Sequence, residues 1–190
     1  MNRDFLISLL LEIKNGKREY RDTCAQKIIK QPDLFVLLLE ETFYVDNKLS
    51  IKSTWVLEWI CTHYGINLLL PHLELFIDKL NTVYLDGSKR CLAKICEQLG
   101  EIYSTEPHHE IRRKLSTQQI EQIVEINFDW LISPQKIAVK AYAMTTLYHF
   151  GFYVNWVHEA IENTIANDVM HTSKACEARG KKILTLLKKK

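Results

Sequence analysis

Val139-Lys140-Ala141-Tyr142-Ala143-Met144-Thr145-Thr146-Leu147-Tyr148-His149-Phe150-Gly151 is a basic residue, then small and apolar residues at helical spacing, then a bulky apolar residue and Gly. The phrase recurs as Ser88-Lys89-Arg90-Cys91-Leu92-Ala93-Lys94-Ile95-Cys96-Glu97-Gln98-Leu99-Gly100, and more loosely from Ser53 to Gly65. A repeated helix that stops at Gly is the signature of stacked helical hairpins, each burying its apolar face only against a neighbour. The repeats predict an all-α chain of about five hairpins wound as a right-handed α-α superhelix, in a single domain spanning 1–190.

Composition agrees. The 190 residues are 47% hydrophobic, enough for a full core, and 6 Gly and 4 Pro leave little material for β-turns. Formal net charge is +2. From Lys174 to Lys190 seven basic residues face Glu177 alone, a local +6 that leaves −4 on the rest. The run Lys188-Lys189-Lys190 reads as a solubilising end, because a nucleic-acid binder usually carries a basic stripe and a pI above about 9, against about 8.2 here.

Five cysteines (Cys24, Cys61, Cys91, Cys96, Cys176) form no CxxC and sit in apolar helical contexts, which predicts reduced thiols and a cytoplasmic protein. The apolar run Phe5 to Leu11 is broken by Glu12 and lacks a cleavage site, so no signal peptide is expected. No stretch approaches the roughly 20 apolar residues of a membrane span, and no membrane partner is expected.

Punctuation predicts ten helices. Asn2 caps the first and Gly16 stops it; the second runs from Lys17 to Ile29; Pro32 opens the third; Asp46 or Asn47 starts the fourth, which ends at Gly65. Pro71 opens or kinks a fifth ending near Leu80, and Asp86 caps a sixth that stops at Gly100. Ser116 with Gln119 forms a capping box before an apolar run to Leu131. Ser133-Pro134 opens the eighth, Asn155 caps the ninth, and Thr172 or Ser173 caps the last. Glu106-Pro107-His108-His109 marks an inserted turn or short extra helix. The hairpin register stays open around 66–86 and 101–116.

The Val139–Gly151 phrase resembles the second helix of HEAT-like repeats: an aliphatic residue, Arg or Lys, small residues, then Leu and a final Leu-Gly. The resemblance covers residues 88–100 and 133–151 well and most of the chain weakly, and implies a divergent HEAT or armadillo-type solenoid. Such repeats typically place an Asp one turn before the basic residue. Asp86 stands before Lys89, but Gln135-Lys136 precede Lys140. Lys140-Ala141-Tyr142-Ala143-Met144 also resembles short helical chains classed as adenylosuccinate lyase, which would imply cleavage of adenylosuccinate to AMP and fumarate. That lyase superfamily supplies its catalytic serine from a Gly-Ser-Ser-x-Met-Pro-x-Lys loop, whereas the single Gly-Ser here is Gly87-Ser88, followed by Lys89. No catalytic residue, cofactor or metal is assigned.

Other ionisable groups read as structure. Adjacent His108 and His109 point about 100° apart on a helix and suit a surface turn. His63, His149 and His158 read as packed rings with one nitrogen hydrogen-bonded. Glu121 and Glu125, opposite an apolar face, read as solvated, and the cysteines as core. Glu40-Glu41 is a further carboxylate pair. Trp55 and Trp59 are i,i+4 and stack along one side of a helix, with Lys52 one turn before. Lys52, Lys89, Lys140 and Lys174 occur early in four helices and are the candidates for a basic row, with Trp55 as apolar anchor. The function these imply is a non-catalytic interaction scaffold. It would bind an acidic, aromatic-containing protein or peptide segment on the inner face of the solenoid. The alternative is nucleic-acid binding, by resemblance to HEAT-like DNA-alkylation repair enzymes, which cradle DNA with basic and aromatic residues.

Overall fold

The computed structural model describes residues 2–189; these contain α-helices, short 3-10 turns and no strand. The α-helices are α1 (Asn2–Glu12), α2 (Arg18–Ile29), α3 (Pro32–Thr42), α4 (Leu49–His63), α5 (Leu73–Lys79) and α6 (Asp86–Thr105). They continue as α7 (Ile111–Lys114), α8 (Thr117–Ile132), α9 (Ile137–Phe150), α10 (Val157–Asn167) and α11 (Lys174–Leu187). The eleventh, beyond the ten expected, is α7, which lies in the insertion that follows Glu106-Pro107. None is long and apolar enough to cross a membrane.

Internal contacts divide the chain into two units, Met1–Ile95 and Cys96–Lys190, and the division falls within the residues of α6. In the first unit α3 packs on α4, α2 on α4 and α1 on α3. Leu6, Leu10, Ile28, Phe35, Leu38, Leu57 and Ile60 are buried there. In the second unit α9 packs against α8, α10 and α11, and Ile123, Leu131, Met144, Leu147, Phe150, Ile161 and Ile165 are buried.

Several helix ends follow the sequence. Pro32 opens α3 at its first turn. The capping box forms in full: Gln119 N–H donates to Ser116 Oγ at 3.2 Å, and Ser116 N–H donates to Gln119 Oε1 at 3.0 Å. Cys176 N–H donates to Ser173 Oγ at 3.1 Å, which makes Ser173 the cap of α11.

Other ends depart from the expectation for identifiable reasons. α1 already includes Asn2 and closes at Glu12; Asn15 Oδ1 then accepts from Lys17 N–H at 3.0 Å, turning the chain, so Gly16 belongs to the turn. Pro71 sits in the 3-10 turn Leu70–His72 ahead of α5. Ser133, which precedes Pro134, is extended at φ −79°, ψ 165°, as a residue before proline prefers. It therefore ends α8 rather than opening α9. Asn155 does not cap α10, whose flanking residue is Trp156.

The repeated glycines play different parts. Gly65, at φ +98°, is the one described residue in the left-handed region and does terminate a helix. Gly100 does not: α6 runs through it to Thr105. A Cβ there would lie 3.2 Å from His149 Cβ and 3.3 Å from Phe150 Cε2. The glycine lets α6 approach α9 closely.

Candidate functional site

Helices α2, α4 and α6 meet in the first unit through residues 36 or 37 positions apart. Arg21 Nη1 donates to Glu58 Oε2 at 3.2 Å, and Lys94 Nζ donates to Glu58 Oε1 at 2.7 Å. Thr62 Oγ1 donates to Oε1 at 3.3 Å. The Glu58 side chain is only 3% exposed, so this carboxylate is buried, doubly paired and hydrogen-bonded, as a buried charge must be. The same step along the chain joins Arg3 to Glu41 at 3.2 Å, 38 positions apart.

Trp59 is fixed beside this network. Its Nε1–H donates to Asp22 Oδ1 at 2.9 Å, the Arg21 guanidinium lies 4.6 Å from its ring centroid, and the His63 ring stacks at 3.6 Å. Tyr64 also donates its hydroxyl to Asp22 Oδ1, at 2.5 Å. The Tyr64 hydroxyl first, and the Trp59 indole second, hold the Asp22 carboxyl below its usual value. That hydrogen bond raises the Tyr64 phenol. Trp59 is thus occupied at its edge and against its ring. It is a scaffold rather than an open stacking platform.

Above this floor lies an open groove of about 540 Å³ lined by Gly16, Arg18, Arg21, Trp55, Glu58, Trp59, Thr62, His63, Gly87, Arg90 and Lys94. Four cations (Arg18, Arg21, Arg90, Lys94) against the single carboxylate Glu58 leave +3 with His63 neutral. Arg21 and Lys94 are engaged by Glu58. Arg18 is exposed, and Arg90 Nη2 lies 3.2 Å from Cys91 Sγ; neither has a carboxylate partner among the described residues. Trp55 is half-buried and lines the groove, and a Cβ on Gly16 would sit 3.9 Å from its Cη2 and Cζ3, so Gly16 borders the indole.

Of the five residues singled out in the sequence, Trp55 lines this groove. Lys52 and Lys89 belong to the same unit, each half-buried and outside the lining. Lys140 Nζ donates to the Leu131 carbonyl at 2.8 Å, tying α9 to the last turn of α8. Lys174 is exposed at the start of α11 and borders a separate shallow hollow with His171 and Glu177. Of the groove's cations, which went unnoticed, Arg90 adjoins Lys89 and Lys94 lies five residues beyond Lys89 on α6, whereas Arg18 and Arg21 come from α2, a helix outside the repeated phrase. Glu58 carried a legible signal: it is the one charge in the run Val56-Leu57-Glu58-Trp59-Ile60.

Elsewhere, His108 is exposed in a turn. His63 Nδ1–H donates to the Trp59 carbonyl at 3.2 Å, and His158 Nε2–H to the Tyr148 carbonyl at 2.8 Å. Glu121 and Glu125 are exposed, while Glu41 is buried against Arg3. All five cysteines are buried and unpaired. Burial pushes the thiols of Cys24, Cys91 and Cys96 up to about 12 and raises that of Cys61 as well, which suppresses the nucleophilic thiolate. In the second unit a hollow of about 440 Å³ is lined partly by Glu97, Thr145, His149, Arg179 and Lys182. There Arg179 Nη1 donates to Glu97 Oε1 at 2.8 Å and to Thr145 Oγ1 at 2.5 Å. Lys190 lies outside the described residues. Compared with known proteins, the chain matches no family model, no curated protein and no solved structure.

Proposed function

We propose that the chain is a non-catalytic interaction module that takes an acidic, aromatic-containing segment of a partner protein into the groove of its first unit. The observation that carries this reading is the pair Arg18 and Arg90, two guanidiniums without a carboxylate partner among the described residues, on a groove with a +3 lining. Arg presents a planar fork that matches a carboxylate bidentately, and the half-buried Trp55 in the lining offers an apolar contact. Glu58 is committed to Arg21, Lys94 and Thr62. It acts as the clamp that sets the groove, not as a general base. The fold that goes with this reading is a right-handed α-α superhelix of HEAT-like hairpins. Its support is the recurrence of contacts at separations of 36, 37 and 38 residues.

The test is a labelled heptapeptide alternating Asp and Glu around one Trp and one Phe, titrated by fluorescence anisotropy. Binding should weaken at least about tenfold when Asn and Gln replace the acids, and similarly in the protein variant Arg18→Glu with Arg90→Glu, a loss of about 1.4 kcal/mol or more. Equal binding of the acidic and amide peptides ends this reading.

Nucleic acid is the second reading, favoured by three arginines and a lysine beside a tryptophan. It calls for affinity that falls steeply with salt, because phosphate contacts release counterions. The net charge of +2 favours the peptide instead. A single-stranded 20-mer that binds with a steep salt slope, while the acidic peptide does not bind, would reverse the order.

A further inference from the structure

We infer that the acidic group this groove is built for is a phosphomonoester, so that the partner segment is phosphorylated; this rests on the peptide-binding reading above. The argument is one of charge count and donor geometry. A carboxylate brings one charge and two oxygens, and a single guanidinium fork satisfies it. The groove's own carboxylate, Glu58, is already committed to Arg21 and Lys94 at 3.2 and 2.7 Å. Beyond that internal cluster the groove still holds Arg18 and Arg90, from two different helices, without acidic partners among the described residues.

A phosphomonoester carries nearly two charges at neutral pH and three terminal oxygens. It can accept from two forks at once and offset most of the +3 lining, where one carboxylate would leave +2. Clusters of arginine are the usual protein answer to phosphorylated segments. The groove also leaves room for the group. It is about 540 Å³, and the half-buried Trp55 lines it as an apolar contact for the residue next to the phosphate. A phosphodiester carries one charge per phosphate and gives up one of these oxygens, so a single diester group fits the paired forks less well.

The experiment uses three labelled nonapeptides identical except at the central position, which is phosphoserine, Glu or Ser, each followed by Phe and flanked by Asp. In wild type the phosphopeptide should bind at least about tenfold tighter than the Glu peptide. That advantage should shrink as pH falls below about 6, where the dianion takes up a proton. Arg18→Lys with Arg90→Lys keeps the charge and removes both forks. It should bring the phospho and Glu peptides to within about threefold of each other, with the helical circular dichroism and urea midpoint unchanged. If the double variant loses its fold, Arg18→Lys alone, at an exposed position, should still lower the phospho preference. Equal affinity for the phospho and Glu peptides in wild type overturns this inference and leaves the acidic-segment reading standing. No binding by either overturns both. A phospho preference that survives both Lys substitutions overturns the assignment to Arg18 and Arg90, and displacement of the phosphopeptide by an oligonucleotide at matched phosphate concentration overturns the choice of a monoester.

Discussion

Lys94 Nζ lies 2.7 Å from Glu58 Oε1, so a cation on α6 is joined across 36 residues to a carboxylate on α4 that is only 3% exposed. Arg21 on α2 meets the other oxygen. One acid therefore ties three helices, and its removal strands two partly desolvated cations. Glu58→Gln keeps the shape and deletes the charge. It should lower unfolding free energy by about 2–3 kcal/mol, toward the lower end for a broken buried pair because Arg21 and Lys94 retain some water. Urea unfolding measures this directly. A loss below about 0.5 kcal/mol would mean that the ion pairs add nothing to the packing around them.

Gly180 gives a sign reversal. In an exposed helix interior, Gly→Ala gains up to about 1 kcal/mol from propensity alone. At Gly180 in α11, however, a Cβ would lie 2.6 Å from Met170 Cγ and 2.8 Å from Ile165 Cγ2. Neither atom is the free end of a flexible chain. Gly180→Ala should therefore destabilise by roughly 1–3 kcal/mol through overpacking. A variant with a raised melting midpoint would refute the close approach.

The part of the fold legible in the sequence was what local chemistry decides. Ser116 with Gln119, Pro32 and Ser173 announce helix starts because each satisfies or omits a backbone donor within one turn. Gly100 misled for the complementary reason. Glycine serves a left-handed stop and a close helix crossing equally well, and only the neighbouring His149 and Phe150 distinguish them. The candidate site was half visible. Trp55 declared itself by spacing and size, but the selection of lysines by register passed over Arg18, Arg21, Arg90 and Lys94. Which cation faces a groove depends on a few tens of degrees of helix rotation. The sequence period does not resolve that, and partners 36 residues apart set it.

His149 supplies a pH dependence. Burial lowers its pKa below the ordinary 6.5; nearby Glu101 works against the shift and Lys182 adds to it. Its Nδ1 lies 2.6 Å from Ser104 Oγ. Between the folded and unfolded values the unfolded chain binds more protons, so this contribution to stability is complete above about pH 6.5 and is lost as pH falls through the folded value. Urea midpoints of wild type should therefore drop more from pH 7.5 to pH 5.5 than those of His149→Gln. Parallel profiles for the two proteins would remove His149 as the cause.

Ala143 tests the repeat itself. It occupies the small-residue slot of the Val139–Gly151 phrase and is fully buried on α9, the helix against which α8, α10 and α11 all pack. A longer side chain at a fully buried position must displace packed atoms, and close-packed cores respond to added methylenes with strain. Ala143→Leu should cost roughly 1–3 kcal/mol, seen as a lower melting midpoint with helical content retained. Ala141, two positions earlier and partly exposed, is the internal control. Its replacement by Leu should shift the midpoint far less, since surface substitutions usually stay within about 0.5 kcal/mol. Equal shifts at the two positions would mean that the repeat phrase does not set which face of α9 is packed.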